Sequence, residues 1–316
     1  IGPWNYPIFT PMGSIAYALA AGNAVVFKPS ELTPLVGVKF VELARKALSV
    51  PDVLQIVTGA GPTGAALCKA GVDKLALTGS TATGKKVMAA CAETLTPVSL
   101  ELGGKDPMIV MDGSNIERAA NAAAFGGMMN SGQICMSVER IYVEEPAYDE
   151  FVTRLTDSVK ELRQGPDKVA GESEVGAMTT PTQTEHVEKQ VNEAISQGAR
   201  ALTGGKRVDG PGDYYEPTVL VDVDHSMSVM RDETFGPVVG VMKVKDTEEA
   251  VQLSNDTRYG LSGTVFGPGK KAEEVARRIE CGAVNVNSVL FNFLAPGVPM
   301  GGWKESGIGY RHAEYG

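Results

Sequence analysis

Histidine and cysteine are scarce in this chain of 316 residues, with three of the first and four of the second. Cys68, Cys91, Cys135 and Cys281 stand far apart, so no CxxC pair is present to bind zinc or to cycle as a dithiol. Four cysteines over such a length do not make a disulfide framework either. His186, His225 and His312 are dispersed in polar settings, which argues against a histidine-based metal site, and no metal is expected. Positive charge is in deficit: Lys and Arg number 29 against 38 Asp and Glu, for a net charge of -9. A nucleic-acid partner needs clustered cations to displace counterions, so that class is set aside. No apolar run approaches the roughly 20 residues that cross a bilayer, and no basic-then-apolar leader is visible. A cytoplasmic location without membrane contact is expected. An initiating methionine is lacking too: the chain opens on IGPWNYP and stops at HAEYG, which reads as a piece of a longer chain.

What is present is an ordinary globular composition, 43% hydrophobic and 21% charged, with a length that suits about two domains. Over the first hundred residues helix-like and strand-like stretches alternate. YPIFTPMGSIAYALAAG reads as a helix, NAVVFK as a strand, PLVGVKFVELARKAL as an amphipathic helix and VLQIV as a strand. PTGAALCKA (helix), KLALT (strand), TATGKKVMAACAE (helix) and PVSLEL (strand) follow. Four strands separated by helices predict a parallel, doubly wound sheet. Cys68 and Cys91 fall in the Ala-rich helices and read as small core residues.

The GlyGly at 103–104 reads as a domain boundary, and a second α/β region begins there. PMIVM and RIYV are predicted strands bracketing the helix NIERAANAAAFGGMM, and YDEFVTRLTDSVKEL is a further helix. Residues 164–181 read as loop. The helix TQTEHVEKQVNEAISQGA, a strand near YEPTVLVDV, the helix TEEAVQLSND, the strand LSGTVFG, the helix KAEEVARRIE and the strand GAVNVN complete the order. From Ser288 the chain is rich in loops. The expected division is 1–103, 104–304 and a C-terminal return segment 305–316.

Three stretches are candidates to hold phosphate or ribose. GAGPTG, residues 59–64, has the G-x-G-x-x-G spacing after a strand but no acidic residue about 20 positions on. GSTATG, residues 79–84, follows a strand and opens a helix, where free N–H groups and the dipole face an anion; it also reads as a plain helix cap. VVFKPSE places Lys28 and Glu31 just past the C-terminal edge of a strand, where ligands of open α/β sheets bind; a solvated Lys–Glu pair is the other reading.

Three polar residues suggest chemistry. Asn5 lies in the Pro-bracketed turn PWNYP, Glu101 at the edge of the strand SLEL before two glycines, and Cys135 in SGQICMS. Singly they read as a turn former, a strand-end charge and a core thiol. Together they suit attack on a carbonyl. A thiolate adds to the carbon, an amide donates to the resulting oxyanion, and a carboxylate activates the thiol or a water.

PWNYP, GNAVVFKPSELTP, GSTATG, LELGGKDP, NSGQICMSVERIYV, ETFGPVV and PMGGWKESGIG occur in this order along nearly the whole chain. In them the sequence resembles the NAD(P)-dependent aldehyde dehydrogenase superfamily. The resemblance implies a doubly wound nucleotide-binding domain with a second α/β catalytic domain. It implies Cys135 as the nucleophile that forms a thiohemiacetal, with its oxyanion held by Asn5 and the Cys135 N–H, and Glu101 as the base that activates water on the thioester. It implies Lys28 and Glu31 on the adenosine ribose and Gly79 and Ser80 on the pyrophosphate, with Gly61 near the adenine. Glu233 would hold the nicotinamide ribose with Phe235 beside it, and Trp4, Gly84 and Leu102 would complete the cofactor contacts. NAD is the expected cofactor, since a carboxylate at Glu31 repels a 2′-phosphate, with NADP as the alternative.

The resemblance also implies that a full-length form is a homo-oligomer. Family members begin upstream and end downstream of this chain, so these 316 residues alone are expected to be poorly stable or inactive. Gly13, Met300, Phe291, Phe293 and Leu294 would lie near the aldehyde, with Ile134 and Met136 beside the thiol, which points to an apolar small-molecule aldehyde. A branch that passes its thioester to coenzyme A lacks the glutamate present here as Glu101. A cofactor-free cysteine hydrolase would need a well-placed histidine. A catalytically silent relative would have lost the thiol or the base.

Overall fold

The computed structural model describes residues 1–167 and 169–313. Lys168, inside the predicted loop, and residues 314–316, the end of the predicted return segment, lie outside the described residues. The chain divides into two compact units, one of residues 1–103 together with the segment from Ala295 onward, the other of Gly104–Leu294. Residues 295–304, which the sequence reading places with the second domain, therefore group with the first unit.

In the first unit the order is α1 (Phe9–Ala20), β1 (Val25–Phe27), α2 (Pro34–Ala47), β2 (Leu54–Ile56), α3 (Gly61–Cys68), β3 (Leu75–Thr78), α4 (Thr81–Ala92) and β4 (Val98–Glu101). Helix starts follow local chemistry. Pro34 opens α2 with its φ already helical. Ser80 caps α4, its side chain accepting from the Thr83 N–H at 3.2 Å. The strands are short and pair locally. β1 runs parallel to β2, with Val25 opposite Leu54, and β3 parallel to β4, with Thr78 opposite Glu101. The two ladders are not joined strand to strand. Instead the first two residues lie between them: Gly2 N–H donates to Lys28 O at 2.9 Å and Thr78 N–H to Ile1 O at 3.2 Å. Ile15, Phe27, Val41 and Leu54 form one core cluster of this unit. Cys68, Leu75, Leu77, Val87, Cys91, Leu100 and Leu102 form another, with both thiols buried.

The second unit is a seven-stranded sheet. Its elements are β5 (Asp106–Val110), α5 (Ile116–Met128), β6 (Val138–Glu144), α6 (Glu145–Lys160), α7 (Pro181–Ser196), β7 (Arg200–Thr203), β8 (Thr218–Val221), α8 (Ser228–Arg231) and β9 (Val238–Val244). They continue as α9 (Thr247–Asn255), β10 (Tyr259–Gly260), β11 (Ser262–Phe266), α10 (Gly269–Ala276), β12 (Ala283–Val286) and α11 (Phe291–Leu294). Strand order is β12-β11-β5-β6-β9-β8-β7, parallel except for the β7–β8 pair. Every residue of β5, β6 and β11 is buried, as expected of interior parallel strands covered on both faces. The alternation shows it directly. Met108 and Val110 join Ala119, Ala123 and Phe151 of α5 and α6 in one cluster. Ile109 and Met111 join Val187, Val251 and Val275 of α7, α9 and α10 in the other. β9 was missed in the sequence, although VVGVMKV is β-branched over most of its length and sits in the middle of the sheet.

Beyond Leu294 the first unit adds β13 (Trp303–Lys304) and β14 (Gly307–Ile308). β14 pairs antiparallel with β4, placing Gly307 opposite Glu101. Among the described residues no helix is long and apolar enough to cross a membrane.

Candidate active-site residues in each unit

In the second unit the thiol is set by a backbone reversal after α5. Asn130, Ser131 and Gly132 follow one another at φ of 52°, 57° and 69°. Three successive left-handed residues are costly for side-chain-bearing positions, and side-chain bonds hold the turn. Ser131 Oγ donates to Gly176 O at 2.8 Å, Gln133 Nε2 to Asn130 O at 3.1 Å, and Gln133 Oε1 accepts from Thr179 N–H at 2.9 Å. A Cβ on Gly132 would sit 1.9 Å from Gly236 O, so no other residue fits there. The turn delivers Cys135 half-buried between the buried Ile134 and Met136, whereas Cys68, Cys91 and Cys281 are buried.

The turn 233–235 is fixed by a buried ion pair. Glu139 on β6 accepts from the N–H of Thr234 and of Phe235, each at 2.8 Å, and from Lys105 Nζ at 2.6 Å. Lys105 also donates to Thr234 Oγ1 at 2.9 Å. These bonds hold Phe235 at a φ of 51°. Burial lowers the Lys105 pKa, with Glu139 opposing. Burial, then the Glu139 charge, pushes Glu233 up to about 8, against the Gly104 N–H that donates to its Oε1 at 3.0 Å. Asp106 is raised well above the usual carboxylate range, chiefly by burial. Gly104 lies between the backbone of Cys135 and the Glu233 carboxylate, because a Cβ there would lie 2.3 Å from the Cys135 carbonyl oxygen. The second unit thus brings Cys135, Glu233 and Phe235 around one glycine.

In the first unit Glu101 ends β4 with 4% of its surface exposed. Among the described residues neither carboxylate oxygen has a hydrogen-bond partner. Burial raises its pKa and the nearby Arg311 guanidinium lowers it. Gly79 N–H donates to Glu101 O at 3.0 Å, which ties the end of β3 to the end of β4. Ser80 caps α4 beside it, and Gly84 lets the helix close on Leu102, where a Cβ would meet Leu102 Cδ2 at 2.6 Å. Gly79, Ser80, Gly84, Glu101 and Leu102 are therefore neighbours. Lys28 and Glu31 form a second group. Lys28 is buried, with Nζ 2.9 Å from Pro29 O and 3.5 Å from the exposed Glu31 carboxylate. Its side chain runs past the first turn of α3, 3.8 Å from where a Gly64 Cβ would be, and Gly61 opens that helix on the surface. Trp4 and Asn5 are half-buried in the turn before α1.

Sequence reasoning passed over Lys105, Glu139 and Gly104. The signal was available: a lysine in LGGKDP and a glutamate inside the apolar run SVERIYV. Arg311 carried no comparable sign. Among the described residues no group of three or more His, Cys, Asp or Glu side chains converges to hold a metal.

Parallel strands feeding helix N-termini in one unit, and a thiol on a glycine-rich reversal in the other, make this a mixed α/β protein of parallel-sheet type. The sequence model of the aldehyde dehydrogenase family matches residues 1–316, and the chain belongs to that family. It is 42% identical over 322 residues to a 4,4′-diapolycopene aldehyde oxidase of a Methylomonas species, covering 100% of this chain and 59% of that protein. The crystal structure of lactaldehyde dehydrogenase from Escherichia coli superposes with a TM-score of 0.95 at 37% identity, over 100% of this chain and 66% of that one. An NAD-dependent aldehyde dehydrogenase from Sinorhizobium meliloti gives 0.95 at 38% identity, over 100% and 63%. The chain spans about three fifths of the length of the curated relatives it matches.

Proposed function

We propose that the protein oxidises an aldehyde to a carboxylic acid with NAD+ through a cysteine-bound thioester. The observation that carries this reading is Glu101, a buried carboxylate with no hydrogen bond on either oxygen among the described residues. Such a group is costly to keep and suits a base that waits for a water. The Cys135 thiolate adds to the aldehyde carbon to give a thiohemiacetal. The Asn5 side-chain amide and the Cys135 N–H donate to its oxyanion. Loss of hydride from that carbon leaves a thioester on Cys135. Glu101 takes a proton from water as the water adds, and the acid departs with the thiol regenerated.

The residues fit a dinucleotide. Lys28 and Glu31 offer a donor and an acceptor 3.5 Å apart past the C-terminal edge of β1, a spacing suited to a ribose diol. The α4 N-terminus, capped by Ser80 after Gly79, suits a pyrophosphate. Glu233, held on Gly104, would accept from the second ribose, with Trp4, Gly61, Gly84, Leu102 and Phe235 completing the contacts. When bound, the nicotinamide ring supplies the hydride acceptor. The substrate we favour is an apolar aldehyde, since Phe291 and Leu294 are largely exposed on α11. The full-length protein is proposed to assemble as a homo-oligomer.

The test is NADH formation by the full-length protein against a panel of aldehydes. Cys135→Ala is expected to abolish turnover. Glu101→Gln is expected to slow thioester release while leaving a first-turnover burst of NADH. Full activity in Cys135→Ala would remove the central assignment. Acid release without coenzyme A separates hydrolysis from transfer to that thiol.

A further inference from the structure

Arg311 has no part in the scheme above, yet it is the charged group that bears on Glu101. Its Nε lies 3.9 Å from Glu101 Oε1, with both side chains buried, at 7% and 5% exposure. The guanidinium is fixed independently of the carboxylate. Nη1 donates to Thr10 O at 3.2 Å on α1, and Nη2 lies 3.5 Å from Met300 Sδ. The backbone is fixed as well: Arg311 and Met300 exchange two N–H to O bonds of 2.8 Å each. Its strand neighbours carry no charge: Thr78 lies opposite Glu101 on β3 and Gly307 on β14. A cation is therefore anchored by two side-chain contacts and two backbone hydrogen bonds, at a distance from Glu101 too long for a hydrogen bond and short enough for a strong Coulomb interaction.

We propose that Arg311 is a positioning residue for Glu101: it holds the carboxylate ionised at its buried station without occupying the lone pairs that must receive the proton from water. The distance is the functional point. A direct hydrogen bond would tie up an oxygen and lower its basicity, whereas without the cation burial alone would act and favour the protonated carboxyl, which is no base. The pKa directions agree, since burial raises Glu101 and Arg311 opposes it. His312, the next residue, is itself lowered by burial and by Arg311, so it adds no positive charge at neutral pH. The proposal rests on Glu101 being the base, as set out above.

The test titrates Glu101 directly and needs neither aldehyde nor cofactor. In protein labelled with 13C at the glutamate carboxyls, the Glu101 resonance is the one lost in Glu101→Gln. Its midpoint is expected to rise by about one pH unit or more in Arg311→Gln, and to return close to the wild-type value in Arg311→Lys. Should Arg311→Gln not fold, Arg311→Met, which keeps an apolar stem beside Met300, carries the same expectation. An unmoved midpoint overturns the proposal. In turnover, the acid limb of thioester hydrolysis should move with the midpoint while the NADH burst keeps its rate. A burst slowed as much as turnover, with no shift of the limb, assigns Arg311 to fold support alone and also overturns it. Retention of full turnover by Glu101→Gln would instead remove Glu101 as base and leave the titration result standing, so the two failures are distinguishable.

Discussion

Replacing Glu139 by Gln should unfasten the 233–235 turn and cost a large part of the second unit's stability. Glu139 is 2% exposed and Lys105 1%. Three donors converge on the carboxylate: Lys105 Nζ at 2.6 Å and the Thr234 and Phe235 N–H groups at 2.8 Å. A glutamine keeps one acceptor oxygen and turns the other position into a donor, so at least one N–H is opposed and the lysine keeps an unpaired buried charge. Orphaning one member of a buried pair costs about 3–5 kcal/mol, and an opposed buried N–H about 1–3 kcal/mol more. Against a typical domain stability of about 5–15 kcal/mol, the variant should show a clear fall in denaturation midpoint. Removing the charge as well separates the terms. Lys105→Met alone should cost a few kcal/mol, and the double variant should be less destabilised than the sum, with a coupling of about 2 kcal/mol or more. The measurement is urea unfolding followed by circular dichroism and by the fluorescence of a tryptophan introduced into the second unit at Phe151, since Trp4 and Trp303 both lie in the first unit. A loss below about 1 kcal/mol in Glu139→Gln, or additive single costs, would refute the claim that the ion pair organises this turn.

Glu233 makes a pH prediction. Its carboxyl is pushed up to about 8 from 4.5, so the folded protein binds a proton that the unfolded chain releases across that interval. Its contribution to stability is therefore full below about pH 4.5 and is lost as pH rises through about 8. The side chain partly reaches solvent, so we expect on the order of 2 kcal/mol rather than the full shift. Thermal melts across this range should fall less steeply in Glu233→Gln, and an identical pH slope would count against the assignment. Gly132→Ala should yield little folded protein, because its φ is 69° and its Cβ would lie 1.9 Å from Gly236 O; a cooperative wild-type-like melt would contradict this. If Glu31 discriminates against a 2′-phosphate, Glu31→Ala should raise kcat/KM for NADP about fivefold, from a Coulomb effect of about 1 kcal/mol in high dielectric. An unchanged NADP preference would place the 2′ position elsewhere.

How much of this was readable in advance depends on the range of the forces involved. Helices such as α4 and α7 were legible because their signals are local: a capping Ser80 for α4, and for α7 a long polar stretch with apolar residues at the helix period. β5 and β11 were legible as short runs, PMIVM and LSGTVFG, with few polar residues and none charged. β9 was not, because only Val238 and Val239 were read, as the tail of the motif ETFGPVV, and the strand's place beside β6 depends on pairing over about a hundred residues. The first-unit strands were found, but one continuous ladder was expected where residues 1–2 bridge two pairs. The site divides in the same way. Cys135 and Glu101 stood out because a thiol and a carboxylate are conspicuous in apolar or glycine-rich surroundings. What gives them their chemical character did not stand out. Gly104 matters through a close approach to Cys135 O, and Arg311 through an approach to Glu101 across 210 positions of chain. Neither effect is written in neighbouring residues. A sequence read locally therefore names the groups that react more readily than the groups that set their charge.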